Sequence, residues 1–356
     1  PEHISFIITD TAGANKPMGI FTGDFVFVGD IGRPDLLEEA AGIKGTSEPG
    51  ARQMFKSLQR FKQLPDYMQV WPAHGAGSAC GKALGAIPSS TVGYEKLFNV
   101  ALSYENEDTF VKALLDGQPE APKYFAMMKK LNKVGPAVLN GLPQPQQLDP
   151  GKLQSLLDEG AIVVDTRSMD EFASGHIPGT INIPEDNAFT NWAGWFLAYD
   201  KPFYLIANPA TVQQAVHDLV YIGLDNIGGY FDVTVVDSWP ELQSYTTTTP
   251  AEIVDKVKSG EVTIVDVRAT SEWNEGHIPG AQHLMLGYLP DRVTEVPTDK
   301  PVVVHCRTDN RSAIGASVLQ AKGVTNVIKM LEGFQGWVAA GLPVEKNGVA
   351  NGNGKH

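Results

Sequence analysis

The feature that most constrains this chain is an internal repeat. The stretch IVVDTRSMDEFASGHIPGTINIP begins at Ile162 and recurs as TIVDVRATSEWNEGHIPGAQHLM, which begins at Thr263. Both copies contain an apolar run, Asp-x-Arg, a Glu followed by an aromatic residue, and Gly-His-Ile-Pro-Gly, and their aspartates Asp165 and Asp266 lie 101 residues apart. Each copy predicts a strand, a short helix and a turn. Because solenoid repeats are only about 20–50 residues long, this spacing indicates two tandem domains.

The residues after each copy continue the same alternation. A second apolar run, Phe203–Ile206 or Val302–His305, is followed by a loop and then by a helix that ends near Gly223 or Gly323. Strands that alternate with helices predict a parallel sheet covered on both faces. Each repeat is therefore expected to be an α/β domain.

Length and composition predict further division of the chain. A polypeptide of 356 residues has room for two to three domains. The Pro-rich run LNGLPQPQQLDP, from Leu139 to Pro150, and the run Thr246–Pro250 resemble boundaries. We expect three parts, at residues 1–140, 146–246 and 247–346.

The charge and the cysteine content restrict the partners and the compartment. A net charge of −13 without a Lys/Arg-rich run argues against binding to nucleic acid or to an anionic membrane. No apolar stretch approaches the roughly 20 residues of a spanning helix, and the first residues lack the pattern of a secretory signal. The two cysteines, Cys80 and Cys306, suit a reducing compartment. We expect a soluble cytoplasmic protein.

A reactive thiol is predicted in the second repeat. Cys306 ends the predicted strand Val302–His305, and Arg311 follows it after four residues, at the start of a helix expected from about Ser312 to Lys322. A loop at a helix N-terminus directs backbone N–H groups and the positive end of the helix dipole inward. Both favour the thiolate, which is the reactive form of cysteine.

The other loop residues are candidates for binding an anionic sulfur compound. Arg311 and Arg307 are expected to pair with a substrate such as thiosulfate or a persulfide. The remaining candidate binding residues are Thr308, Asp309 and Asn310. The competing interpretation is a buried structural cysteine. Because two arginines lie within five residues of Cys306, we do not expect this cysteine to be buried in an apolar core.

The second repeat resembles a rhodanese sulfurtransferase domain. The residues that carry the resemblance are Asp266-x-Arg268, Glu272-Trp273, Gly276-His277-Ile278-Pro279-Gly280, the Cys306 loop and Glu332-Gly333-Phe334-x-Gly336-Trp337. The resemblance implies that Cys306 accepts sulfane sulfur as a persulfide and passes it to a nucleophile. Related phosphatases have five residues between Cys and Arg. The spacing of four in this sequence favours sulfur over phosphoryl chemistry, and a phosphatase is the second interpretation.

The first repeat lacks the reactive group. It keeps Asp165, Arg167 and His176, but its loop reads ANPATV, from Ala207 to Val212, with neither thiol nor arginine. We therefore expect an inactive rhodanese-like domain with a structural or docking role. The residues that both repeats keep are expected to hold the fold together through buried hydrogen bonds and not to act in catalysis. In the second repeat they are Asp266, Arg268 and His277.

The first 140 residues resemble the second half of a metallo-β-lactamase-fold domain. The stretches that carry this resemblance are FTGDFVFVGDIGRPDL, from Phe21 to Leu36, and VWPAHGAGSACG, from Val70 to Gly81. Strands are expected at Ile4–Ile8 and just before Asp24, with Phe25–Val28 as a continuation. The overall expectation is α/β: a partial metallo-β-lactamase αββα fold followed by two rhodanese-like α/β domains with parallel sheets.

The resemblance implies that Asp24 is a metal ligand. Pro1–Ser5 resembles the stretch that follows the Gly-His-Thr ligand motif of that family, so the remaining ligands are expected upstream of Pro1. This polypeptide alone is then expected to bind metal poorly. One alternative is a persulfide dioxygenase with a single Fe(II) held by two histidines and one aspartate. The other is a thioester hydrolase with two metals, such as zinc, in which His74 is a further ligand.

Two more residues of this part have open interpretations. Arg33 is assigned either to substrate binding or to an ion pair with Asp35 that fixes the loop. Cys80 is either a second thiol at the metal site or a packed small residue.

The preferred function is a sulfurtransferase that acts through a Cys306 persulfide and is fused to an Fe(II) persulfide dioxygenase in sulfide and persulfide detoxification. The alternative is a thioester hydrolase with rhodanese domains that dock partners or carry sulfur. The expected partners are a small thiol persulfide, thiosulfate or sulfite. Assembly into a homo-oligomer is left open.

Overall fold

The computed structural model describes residues 3–40, 42–75 and 84–346. The chain divides into two units, Pro1–Ala121 and Pro122–His356. Among the described residues the longest helix has 15 residues, and none is long and apolar enough to cross a membrane.

The first unit contains a four-stranded sheet. Its strands are β1 (Phe6–Ile8), β2 (Gly19–Gly23), β3 (Gln69–Pro72) and β4 (Ser90–Thr91). Its helices are α1 (Leu36–Glu39), α2 (Ser47–Phe61), α3 (Val92–Phe98) and α4 (Glu107–Leu115), with a 3₁₀ turn at Val100–Ser103. The strand order is β1-β2-β3-β4, in which only the β2–β3 pair is parallel. Helices α2 and α4 pack against each other, and the buried core includes Ile20, Leu58, Phe61, Val70 and Phe110.

The predicted continuation of β2 through Phe25–Val28 is wrong. Strand β2 ends at Gly23, which adopts a left-handed φ of 56°. The hydroxyl of Thr22 then donates a hydrogen bond to the carbonyl of Val26 at 2.6 Å and closes a turn. Only a single bridge, Val26 to Ile31, follows. The apolar run is buried inside a turn and is not paired as a strand, which a pattern of hydrophobicity does not distinguish.

The second unit begins with helix α5 (Tyr124–Val134) and contains both repeats. The elements of the first repeat are α6 (Leu153–Asp158), β5 (Ile162–Asp165), α7 (Met169–Ser174), β6 (Ile181–Asn182), α8 (Phe189–Phe196), β7 (Phe203–Ala207), α9 (Val212–Tyr221) and β8 (Ile227–Asp232). Short 3₁₀ turns lie at Pro150–Lys152 and Val233–Val235.

The second repeat follows the same alternation of strands and helices, with an additional strand at its start and an additional helix at its end. They are β9 (Thr246–Thr248), α10 (Pro250–Ser259), β10 (Thr263–Asp266), α11 (Thr270–Glu275), β11 (Gln282–His283), α12 (Leu289–Arg292), β12 (Val302–His305), α13 (Asn310–Ala321), β13 (Val327–Met330) and α14 (Gly333–Ala339). Further 3₁₀ turns lie at Leu286–Tyr288 and Val293–Glu295.

Both repeats form parallel sheets, which confirms the predicted α/β class. The strand order is β6-β5-β7-β8 in the first repeat and β11-β10-β12-β13-β9 in the second. Every pairing within the two sheets is parallel. The run Thr246–Pro250, which the sequence presents as a boundary, supplies the edge strand β9.

Helix α5 packs on the first repeat, although the sequence placed it with residues 1–140. The ring of Tyr124 lies against Gly194, where an added Cβ would be 2.3 Å from the ring. An added Cβ at Gly223 would likewise lie 2.5 Å from the side chain of Leu131. The division between the two units accordingly falls after Ala121.

Helix α13, which follows the Cys306 loop, lies between the two repeats. All of its residues from Ser312 to Gln320 are buried, so it has no solvent-exposed polar face. The Oγ of Ser317 accepts a hydrogen bond from the backbone N–H of Asn182 at 3.0 Å, and the side chain of Gln320 donates to the carbonyl of Ser244 at 2.9 Å. The first repeat therefore covers the helix that begins at the reactive loop of the second.

Candidate active site

The structure places Cys306 at the bottom of a loop between β12 and α13. The residue is only 1% exposed and belongs to an apolar cluster, so the expectation that it would avoid burial is wrong. Its Sγ lies 3.5 Å from the hydroxyl of Ser312. Burial is compatible with the neighbouring charges because Arg307 extends into solvent and Arg311 turns aside to an acidic partner.

The first two carbonyl groups of the loop are held by hydrogen bonds from helix α14. The carbonyl of Cys306 accepts a hydrogen bond from the N–H of Phe334 at 2.7 Å, and the carbonyl of Arg307 accepts one from Gln335 at 3.0 Å. Within the described residues, the backbone N–H groups of residues 307–312 donate to no protein acceptor. Free N–H groups in a loop that leads into a helix N-terminus are suited to hold an anion.

Glycine at the start of helix α14 allows the helix to approach these carbonyl groups closely. Its first residue, Gly333, has a φ of 51°, and an added Cβ would lie 2.4 Å from the carbonyl oxygen of Cys306. Glu332 precedes it in the left-handed region, with a φ of 60°. The motif Glu332-Gly333-Phe334 was part of the sequence resemblance, but its support of the loop was not evident from the sequence.

Arg311 is held by Glu272, a partner that sequence reasoning missed. The guanidinium donates to both carboxylate oxygens of Glu272, at 2.5 and 2.9 Å. Burial raises the pKa of Glu272, but the hydrogen bonds and the charge of Arg311 outweigh it, and the pKa lies below its ordinary value. Burial lowers the pKa of Arg311, which the Glu272 carboxylate and the nearby Cys306 raise above the ordinary value. The sequence predicted that the guanidinium of Arg311 pairs with substrate. In the structure it is already engaged in a bidentate pair with Glu272.

A second buried network lies beside the loop. Arg268 donates three hydrogen bonds to the carboxylate of Asp266, the shortest at 2.6 Å, and His305 Nε2 is 3.5 Å from the same group. Burial raises the pKa of Asp266, but the charges of His305 and Arg268 outweigh it and give a net lowering. In the first repeat the position of His305 is taken by Ile206, and there burial prevails and raises the pKa of Asp165. Sequence reasoning missed His305.

The residues that both repeats share hold turns together, as expected. Arg268 also donates to the carbonyl of Gly276 at 2.8 Å, and Nδ1 of His277 lies 3.1 Å from the carbonyl of Trp273. The first repeat repeats these contacts with Arg167 and His176. Thr308 and Asn310 lie exposed at the rim of the loop, and Asp309 is half-buried.

The first unit brings two candidate metal ligands together. His74 Nε2 lies 3.4 Å from Asp24 Oδ1, and Nδ1 of His74 is buried with no partner among the described residues. A carboxylate and an imidazole at this separation fit two corners of one metal site. No group of three ligand-type side chains occurs in the described ranges. Asp24 and His74 together fit a metal only in part, since they supply two ligands.

Arg33 and Cys80 are the remaining candidates of this unit. Arg33 is buried, and its guanidinium donates to both oxygens of Asp35. Because the side chain is turned inward, the structure supports the ion pair with Asp35 over the assignment of Arg33 to substrate binding. Cys80 lies outside the described residues.

Comparison with known proteins agrees with this architecture. The model of the rhodanese-like domain family matches residues 149–237 and 249–340. The chain belongs to this family and contains two copies of the domain. The solved structure of a metallo-β-lactamase from Staphylococcus aureus is similar, with a TM-score of 0.57 and 49% identity, over 65% of this chain and 63% of that one. The protein is thus a fusion of a metallo-β-lactamase-fold part with two rhodanese-like domains.

Curated relatives match shorter stretches. A sulfurtransferase of Allochromatium vinosum is 34% identical over 24% of this chain and 78% of its own length. An HTH-type transcriptional regulator of Mycobacterium tuberculosis is 37% identical over 30% of this chain and 47% of its own length. The chain thus spans less than half of the regulator and under two thirds of the metallo-β-lactamase structure. The rhodanese part is a sulfurtransferase-type domain.

Replacing Gly333 by Ala should displace the loop. The new Cβ would meet the Cys306 carbonyl, so we expect sulfur transfer to fall by on the order of a hundredfold. Gly341→Ala is the matched control, because its φ of 67° is similar but no atom lies within 4 Å of an added Cβ. It should cost about 1 kcal/mol of stability and leave transfer rates near those of the wild type. Equal activities in the two variants, with thermal unfolding as the check on folding, would contradict this.

The Glu272–Arg311 pair should make stability depend on pH. A carboxylate whose pKa is lowered on folding stabilises the native state above its ordinary pKa of 4.5, and this contribution is lost as the pH falls through the lowered value. The difference in unfolding temperature between wild type and Glu272→Gln should be constant near neutral pH and shrink below pH 4.5. A difference that does not change over this acidic range would refute the assignment.

Proposed function

We propose that the second rhodanese-like domain transfers sulfane sulfur through a persulfide on Cys306. The observation that carries this proposal is the run of backbone N–H groups in the loop that follows the thiol, residues 307–312, which have no hydrogen-bond acceptor among the described residues. Such a cradle stabilises negative charge, both on a thiolate and on the oxygens of an anionic donor. The small size of thiosulfate suits a sulfur atom that lies at the bottom of a loop and is almost fully buried.

Two displacements complete the reaction. The Cys306 thiolate attacks the outer sulfur of thiosulfate, the S–S bond breaks, and sulfite leaves with the electron pair. A nucleophile such as sulfite, cyanide or a small thiolate then attacks the terminal sulfur of the persulfide. The Cys306–sulfur bond breaks and the thiolate is regenerated. No external oxidant or proton is consumed in this cycle.

The surrounding side chains support these steps. Arg311 contributes positive charge beside the thiolate. Its bidentate pair with Glu272 keeps the guanidinium in place during the reaction. Arg307, Thr308 and Asn310 line the exposed rim, where a donor enters. The loop of the first repeat has no thiol and cannot form a persulfide, and the role of this repeat is to cover α13.

For the first unit we propose the persulfide dioxygenase interpretation, with Asp24 as a ligand of Fe(II). Iron would supply oxygen activation when it is bound. The sulfite made from a persulfide in such a reaction is also the leaving group and an acceptor of the rhodanese cycle, which supports a common role in sulfide and persulfide detoxification in the cytoplasm. The proximity of His74 to Asp24 supports the second candidate, a two-metal thioester hydrolase.

Incubation with thiosulfate should add one sulfur atom to the protein. Intact mass measurement is expected to show this gain in wild type and in Cys80→Ser, which retains the proposed nucleophile, and to show no gain in Cys306→Ser. The loaded protein should return to its original mass when cyanide is added and thiocyanate is released. Loading of Cys306→Ser, or failure of the wild type to load, would refute the sulfurtransferase proposal.

Metal analysis separates the two candidates for the first unit. The intact protein, as the organism makes it and purified without oxygen, is expected to contain iron, and Asp24→Ala should lose most of it. Two zinc ions per chain, with one of them lost in His74→Ala, would support the hydrolase and contradict the dioxygenase.

A further inference from the structure

A buried lysine lies next to the reactive loop and has no role in the reaction described above. Lys329, on β13 of the second repeat, is only 3% exposed. Its Nζ is 3.4 Å from Oδ1 of Asp309, within the loop, and 3.7 Å from Sδ of Met169, in the first repeat. Burial of an ammonium group is costly unless an opposite charge compensates it. The carboxylate of Asp309 supplies this opposite charge.

The sheet register directs Lys329 to the side of the nucleophile. In the parallel pair β12–β13, Lys329 lies opposite Val304. Neighbouring side chains in such a pair share one face of the sheet. Val304 and Cys306 belong to the same apolar cluster, whereas Val303 belongs to the cluster on the other face. Lys329 and Cys306 thus lie on the same face.

Asp309 places a negative charge where an anionic donor must bind. It is the only acidic residue between Cys306 and Arg311. Its Oδ1 is buried and receives no hydrogen bond from the described residues, so the ammonium of Lys329 is the charge that faces it. Without that ammonium the carboxylate would repel thiosulfate and disfavour the thiolate.

The two repeats provide an internal comparison. The position of Lys329 is taken in the first repeat by Tyr230, which lies opposite Leu205 in the equivalent strand pair. The position of Asp309 is taken by Ala210 in the loop without a thiol. Both members of the charge pair are present where the cysteine is present, and both are absent where it is absent.

We propose that Lys329 is a positioning residue for sulfur transfer, which neutralises Asp309 and thereby lets the loop accept an anionic sulfur donor. This inference rests on the proposed sulfurtransferase function. The first repeat takes part in it, because Sδ of Met169 lies 3.7 Å from the ammonium of Lys329.

Three variants test the inference in steady-state transfer from thiosulfate to cyanide. Lys329→Met should raise the KM for thiosulfate by on the order of tenfold, since it leaves the Asp309 carboxylate unbalanced. Asp309→Asn should lower this KM, because it removes the carboxylate and leaves the ammonium of Lys329 to attract the anionic donor. The double variant should return to within about threefold of the wild-type KM, because neither charge is then present.

The outcomes are distinct. An unchanged KM in Lys329→Met would overturn the inference, and so would a double variant as impaired as Lys329→Met, because a lysine that only fills space is not rescued by removal of a carboxylate. Methionine has a similar length, and its burial in place of an ammonium is expected to preserve the fold, which thermal unfolding checks. Wild-type protein that gains no sulfur would refute the proposed function itself and is a separate result.

Discussion

The site depends on two hydrogen bonds that cross from helix α14 to the Cys306 loop. The N–H groups of Phe334 and Gln335 bind the carbonyls of Cys306 and Arg307, and these bonds fix which way the first two peptide groups of the loop face. Since a peptide group has its N–H and C=O on opposite sides, carbonyls that are bound by α14 leave the N–H groups free on the other side. The left-handed Gly333 allows the close approach that these bonds require.

The duplication shows which interactions belong to the scaffold and which to the chemistry. Both repeats keep the Asp-x-Arg pair, its bond to the carbonyl before the histidine, and the parallel sheet. Only the second has the thiol, His305 and the charged loop. The first repeat has become a structural element for the second, since it buries α13 on the side that a single domain would expose to water. Hydrogen bonds to Ser317 and Gln320 cross this interface and fix the helix from which the loop extends.

Much of the fold was predictable because its signals are local. The apolar runs of each repeat predicted β7 and β12 to within one residue, as regular patterns bounded by turns should. The predictions failed where a hydrogen bond that the apolar pattern does not encode decides the outcome. The apolar residues Phe25–Val28 became a turn because the hydroxyl of Thr22 bonds to the carbonyl of Val26. Arg311 turned to Glu272, 39 residues away along the chain, because a bidentate carboxylate is a better partner for a buried guanidinium than water.

The sequence alone determined the class of each domain, the presence of one cysteine loop and its absence from the other repeat. These properties are written in residue order, in the period of hydrophobicity and in the spacing of Cys306 and Arg311. Only the tertiary structure decided how deeply Cys306 is buried, that His305 faces Asp266, and that Lys329 faces Asp309. The physical reason is that charges interact through space, and parallel strands bring together residues whose distance along the chain carries no sign of their contact.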